Sequence, residues 1–351
     1  MDPENIIKGY VSNSTAYFYD AFPDDVIVDE NNQIITSWSV NNLSCPACST
    51  LEECPRVGCA VLCDLRAPEY AKKKLDKEIS SGYNFTTRFI DTTFASPYRE
   101  CYHPDHPMTR TMSLEARIEL LKEYTNRGFV VGTENGKEQA IPNCDFFEGM
   151  MSPGEYRVPN SGRDLETVFT YVPEETQYMV DETLRIPLFE LVYHDCVISY
   201  WYWGDHNSKV IPQWDKRDLF NRLYGTPPMF LFNQTIWERY KNRFVQSYKT
   251  AEEISYLTGY YEMSDHKYLS DDWKVQQTVF GNNRVIVTVN FGDKKFGGIE
   301  PMSSTVIVYT DAPPWAIAVI VIAAVVIDGI TFLVLFIMNR KKGEEKDSNE
   351  D

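Results

Sequence analysis

The apolar positions of this chain follow two periods, one over most of its length and another near its end. Ala67–Ser80 (APEYAKKKLDKEIS) and Ser113–Asn126 (SLEARIELLKEYTN) carry apolar residues at helical spacing. Pro68 suits the first turn of the first helix, Ser113 is placed to cap the second, and Gly128 ends it. Helices are also predicted over Asp215–Tyr224 and Trp237–Leu257. Between them lie short apolar runs that read as strands: Thr15–Asp20, Phe85–Asp91, Phe129–Glu134, Leu188–Asp195 and Met229–Phe232, with weaker candidates at Ala60–Asp64 and Asp145–Gly149. Strands alternating with helices predict parallel β/α units. Beyond about residue 260 the period becomes two. Val275–Phe280, Arg284–Phe291 and Thr305–Thr310 predict a small antiparallel domain, with turns at Gly281-Asn282-Asn283 and Gly292-Asp293.

Residues 315–338 depart from both patterns. The run WAIAVIVIAAVVIDGITFLVLFIM has one charge, Asp328, and a bilayer core needs roughly 20 apolar residues. A transmembrane helix over Trp315–Met338 is therefore predicted, with Trp315 at one interface. Arg340, Lys341 and Lys342 follow directly, which puts the tail 339–351 in the cytosol and residues 1–314 outside it, at the plasma membrane. Such a domain needs a leader, and Met1-Asp2-Pro3-Glu4 opens a polar stretch with no apolar core, so the expectation is that the true N-terminus lies upstream. Acceptor sequences at Asn13, Asn42, Asn84 and Asn233 agree with an external domain.

Cysteine usage points to the same compartment. Cys45, Cys48, Cys54, Cys59 and Cys63 crowd into 41–63, and Cys101, Cys144 and Cys196 follow. The opening C-x2-C allows zinc, but no second pair and no nearby His completes a site, so disulfides of unread pairing are expected. The formal net charge of −17 excludes nucleic-acid binding by phosphate neutralisation and leaves neutral ligands such as sugars open. With 43% hydrophobic and 14% aromatic residues the chain can bury a sizeable core.

Two predicted strands end in acids, at Asp91 and Glu134, with one helix between them. Neighbouring parallel strands would bring both to one rim, where β/α enzymes keep their chemistry. Glycoside hydrolysis needs such a pair. An Asp after a strand is also a common turn former, and Glu134-Asn135-Gly136 can be a turn.

Longer motifs add to this. FIDTTFASPYRECYHPDHPMTR (89–110), FVVGTENGKEQAIPNCDFFEGM (129–150), PLFELVYHDCVISYWYWGDHNSK (187–209), DKRDLFNRLYGTPPMFLF (215–232) and YYEMSDHKYLSDDWKVQQTVF (260–280) resemble glycoside hydrolases related to the endo-α-N-acetylgalactosaminidases. The resemblance covers about residues 15–310. It implies a (β/α)8 barrel over 1–257, N-terminally incomplete and interrupted by the cysteine-rich insertion, followed by the β-domain over 258–310 and a linker at 311–314. It implies a retaining mechanism with Asp91 as nucleophile and Glu134 as acid/base, and α-linked, N-acetylhexosamine-containing glycans of glycoproteins as substrate. Tyr193, His194 and Asp195 are candidates to bind sugar hydroxyls; Trp201 and Trp203 are candidates because a Trp face can lie against a sugar's apolar face, and Asp205 joins them. Arg110 can pair with Asp91 or brace its loop. No cofactor and no metal site is expected; His103, Asp105 and His106 imitate a metal set, but Pro104 and Pro107 read as a rigid loop. Two readings stand: an anchored glycosidase, favoured by intact Asp91 and Glu134, and an inactive glycan-binding surface protein, favoured by the missing early strands.

Overall fold

A computed structural model describes residues 7–10, 21–41, 56–150, 158, 167–201 and 206–309. The predicted strand Thr15–Asp20, the 41–63 insertion as far as residue 55, Trp203, Asp205 and the apolar span Trp315–Met338 lie outside them. Among the described residues no helix is long and apolar enough to cross a membrane. Residues 1–307 form one compact unit.

The β/α alternation is present. β1 (Ile7–Tyr10) and β2 (Thr36–Asn41) flank β3 (Arg56–Val61), parallel and antiparallel to it respectively. Then follow α1 (Ala67–Ser80), β4 (Thr87–Ile90), α2 (Arg110–Thr125), β5 (Val130–Asn135) and β6 (Phe146–Met150). After the short helix α3 (Thr176–Met179) come α4 (Leu188–Tyr193), β7 (Ile198–Trp201), α5 (Trp214–Tyr224) and α6 (Gln234–Thr258). β4, β5, β6 and β7 form a parallel sheet in sequence order. One face of that sheet is dry. Ile90, Val131 and Phe147 pack there against Leu75 of α1 and Leu120, Leu121 and Tyr124 of α2, all nearly inaccessible to water. A closed barrel is not seen among the described residues; Leu62, just after β3, shares a core with Ile90 of β4, but the two strands do not pair.

The last four strands, β8 (Met263–Tyr268), β9 (Val275–Phe280), β10 (Val285–Asn290) and β11 (Ser303–Val308), form an antiparallel sheet in the order β11-β10-β9-β8. In-register pairs such as Val287↔Thr278 and Val289↔Gln276 put one face of this sheet on α5 and α6, in a core holding Phe220, Leu223, Tyr224, Ile254, Phe280, Val285, Val287 and Val289.

Four local expectations are corrected. Leu188–Asp195 is helical up to Tyr193, not a strand. Its burial explains the misreading: Glu190 is buried while Leu188, Leu191 and Val192 are exposed, the reverse of an amphipathic helix, so no helical period was there to read. The strand instead comes from the aromatic run beginning at Ile198. Met229–Phe232 has no regular secondary structure and joins no sheet. Helix α2 is capped by Thr109, whose hydroxyl accepts from the Met112 amide at 3.3 Å, while Ser113 lies inside the helix and donates to Asp64 at 2.5 Å. The described cysteines, Cys59, Cys63, Cys101, Cys144 and Cys196, are free thiols rather than disulfides. Cys59 and Cys144 sit in apolar surroundings as small hydrophobic residues do.

Candidate active site

Asp91 directly follows β4, Glu134 lies in β5 and Glu148 in β6. The parallel register pairs Ile90 with Thr133 and Thr133 with Phe147. One residue further on, Asp91, Glu134 and Glu148 therefore stand at one level across three neighbouring strands. Side chains alternate along a strand. Val131, Thr133 and Phe147 face the helices, so Glu134 and Glu148 face the other side. The acids share that side with the row one step beneath them, Phe89, Gly132, Phe146 and Ile198. The Phe89 and Phe146 rings stack at 6.3 Å, and the Phe146 ring lies over Gly132 so closely that a Cβ there would stand 2.2 Å from it. Phe89 is 39% exposed and Ile198 51%, so this aromatic floor is open to solvent.

The backbone around the acids is held under strain. Thr92 has φ +56°, a left-handed conformation that β-branched residues rarely adopt. It turns the Thr92 amide to donate to Glu134 Oε2 at 3.0 Å, which ties the end of β4 to the Glu134 carboxylate. Arg117 of α2 clamps the loop that follows. Its guanidinium donates to the carbonyls of Thr93 (2.6 Å), Ser96 (2.9 Å) and Pro97 (2.8 Å) and to Asp64 Oδ2 (3.1 Å), and both partners of that ion pair are buried. Breaking one half of such a pair leaves an uncompensated buried charge. Glu148 feels the row most. Burial, then the charges of Glu134 and Asp91, push its carboxyl up to about 8, so it holds its proton at neutral pH.

The other predicted site residues are placed differently. Arg110 is exposed and pairs with Glu100 at 3.7 Å, not with Asp91. Tyr193, His194 and Asp195 end a helix, not a strand, and so miss the row. The Tyr193 hydroxyl donates to Glu138 Oε2 at 3.3 Å. His194 braces the antiparallel sheet, with Nδ1 2.7 Å from the Tyr261 carbonyl and its ring against Phe280. Trp201 ends β7. His103, Asp105 and His106 do not converge: the two rings stack at 4.1 Å, and Asp105 is exposed. A cavity of about 480 Å³ runs along β7, lined among others by Glu190, His194, Ile198 and Tyr200, and none of the three acids lines it. The cavity has carboxylates of its own, Asp145, Glu190 and Asp195, but the acids that stand at one level on adjoining parallel strands are those of the row. Glu148, Gly132 and Phe146 were missed in the sequence. The FFEG run was visible as a strand, but only register shows that its Glu stands level with the other two acids.

The acids thus stand together near the carboxyl ends of parallel strands of an α/β fold, on the face away from the helices. Residues 166–279 match the model of a family described as glycosyl hydrolases related to the GH101 family, GH129. The fold is similar to that of the α-N-acetylgalactosaminidase NagBb from Bifidobacterium bifidum in several solved forms. The ligand-free enzyme aligns with a TM-score of 0.57 and 19% identity over 86% of this chain and 41% of that one. Its GalNAc complex gives 0.56 and 18% over 88% and 42%, and its Gal-NHAc-DNJ complex 0.58 and 18% over 87% and 42%. The chain thus spans about two fifths of the length of these structures. No curated protein matches it by sequence.

Proposed function

We propose that this chain carries the catalytic carboxylates of a retaining glycoside hydrolase acting on α-linked, N-acetylhexosamine-containing glycans of glycoproteins, and that its parallel strands are an arc of a (β/α)8 barrel. The observation that carries the reading is the register of Asp91 with Glu134 on adjoining strands. Neighbouring strands are about 4.8 Å apart, close to the roughly 5–5.5 Å between carboxyl groups in retaining enzymes. Asp91 attacks the anomeric carbon and forms the glycosyl-enzyme. Glu134 gives its proton to the leaving oxygen, then takes one from the water that releases the sugar. The Thr92 amide orients Glu134, and the Phe89–Phe146 floor receives the apolar face of the sugar. The family match and the fold similarity to an α-N-acetylgalactosaminidase support the substrate class. The span Trp315–Met338 would hold the enzyme at the plasma membrane with its catalytic part outside.

A second reading has its own observation. Glu148 keeps a proton at neutral pH, as a general acid must, and stands two strand spacings, about 9–10 Å, from Asp91. An Asp91–Glu148 pair would match the wider separation of inverting enzymes.

One experiment tests both. An aryl α-N-acetylgalactosaminide is incubated with the protein, and the anomer first released is read by NMR. Release of the α-anomer, lost in Asp91→Asn and Glu134→Gln, is expected. Release of the β-anomer with loss in Glu148→Gln would select the inverting pair. A folded protein that retains glycans without cleaving them would replace both with the binding role.

A further inference from the structure

Away from the acid row, three residues distant in sequence meet in a dry pocket. Cys63 follows the end of β3, and Cys101 and His106 belong to the loop before α2. All three are buried, and their sulfur and nitrogen donor atoms lie within 4.8 Å of one another. Met108, also buried, adds a thioether 3.8 Å from the Cys63 sulfur. Cys101 Sγ is 3.5 Å from His106 Nδ1.

The tautomer of His106 follows from its other nitrogen. Nε2 lies 2.8 Å from the Asp24 carbonyl, which only accepts, so Nε2 carries the hydrogen and Nδ1 turns its lone pair toward the two sulfurs. An outer nitrogen fixed on a carbonyl is the usual support for a metal-ligating imidazole. The spacing also fits. Bonds of about 2.3 Å to sulfur and about 2.0 Å to nitrogen at a tetrahedral centre hold S and N about 3.5 Å apart and two sulfurs about 3.8 Å apart. The loop is rigid before any metal arrives: Cys101 and Met108 exchange both backbone hydrogen bonds, at 2.8 and 2.9 Å, across a turn containing Pro104 and Pro107.

We propose that Cys63, Cys101, His106 and Met108 bind one thiophilic d10 cation, zinc(II) or copper(I), as a structural clip. Thiolate, thioether and imidazole together select this class over calcium or magnesium. Four protein donors close the site to substrate, which makes it structural. The clip joins the end of β3 to the loop leading into α2, and α2 carries the Arg117 that holds the backbone after Asp91. It stands independently of any glycosidase activity.

The full chain, purified with reductant and chelator and then freed of both, is titrated separately with cobalt(II), as a zinc stand-in, and with copper(I). One equivalent per chain is expected, with the visible bands of tetrahedral cobalt and a thiolate charge-transfer band, or with the ultraviolet thiolate–copper band. The metal content of chain isolated without chelator identifies the native occupant. Cys101→Ser and His106→Gln should weaken binding at least about tenfold, the lower end for loss of a metal-site partner. A Cys45→Ser/Cys48→Ser chain, which removes the separate C-x2-C pair, should bind like the wild type. The wild-type titration decides even where a variant does not fold. The proposal is overturned if folded wild-type chain takes up no stoichiometric metal. Uptake that follows Cys45 and Cys48 instead overturns it too, as does a Cys63–Cys101 disulfide in peptide maps of protein isolated without reductant.

Discussion

Two four-stranded sheets of this molecule follow opposite rules. In the antiparallel sheet, Val285, Val287 and Val289 are buried, and each buried polar side chain on the same face has a partner. Gln276 donates to the Glu182 carbonyl at 2.6 Å and Thr278 to the Leu223 carbonyl at 2.5 Å. Its strands hold no left-handed residue and no buried charge, and the left-handed Trp273, Asn282, Asn283 and Met302 lie in the turns between them. In the parallel sheet one face is as dry, but the other carries Asp91, Glu134 and Glu148 at one level above partly exposed aromatic rings. A left-handed Thr92 sits at its rim, with its hydroxyl buried and without a partner among the described residues. Backbone strain and crowded like charges cost stability, and they persist where a site is being held in shape. The difference separates a face packed as a scaffold from a face that holds a crowded row of acids.

Substitutions in the two sheets should therefore fail in different assays. Asp91→Asn or Glu134→Gln is expected to lower kcat by at least about 100-fold, the lower end for loss of an acid–base group, while the unfolding midpoint moves little. Turnover unchanged in both would remove the reactive role from the parallel sheet. Phe280→Ala should do the reverse, costing about 3–5 kcal/mol in chemical denaturation because the buried ring leaves a cavity beside His194. A loss below about 1 kcal/mol would mean that the antiparallel sheet is not the scaffold.

Glu148→Gln tests the boundary between the two roles. The folded carboxyl is pushed up to about 8, while the unfolded one titrates near 4.5. Below 4.5 both states are protonated and the site costs nothing. Between 4.5 and 8 the unfolded state ionises first, so stability falls as pH rises, and above 8 the loss is constant. The Gln variant should gain stability on the order of a few kcal/mol at pH 8 and show a flatter profile from pH 5 to 8. Parallel profiles in variant and wild type would mean that Glu148 is not held neutral. The smallest effect is expected at Thr92→Gly, which relieves the left-handed conformation. About 1 kcal/mol of added stability should come with turnover little changed, because glycine keeps the backbone amide that donates to Glu134. Unchanged stability would show that the rim stores no strain.

Much of this architecture is legible in the chain. The strands around Phe89 and Val131, helices α1, α2, α5 and α6, and the period-two strands β9 and β10 follow from local periodicity and turn residues, and so does the placement of Asp91 and Glu134 at strand ends. Two kinds of feature were not legible. The run from Leu188 carries its apolar residues on the exposed side, so burial contradicts pattern. Thr109 rather than Ser113 caps α2 because Asp64, far away in sequence, takes the Ser113 hydroxyl.

By itself the sequence determined helices α1, α2, α5 and α6, strands such as β4, β5, β9 and β10, the acids at the ends of β4 and β5, and that the chain contains one long apolar run, because these depend on neighbours a few residues apart. Only the tertiary structure decided that Glu148 stands level with Asp91 and Glu134, and that Cys63 meets Cys101 and His106. Register across strands and contacts between distant loops are set by packing of the whole core, and the energy that selects them is carried by no single stretch of chain.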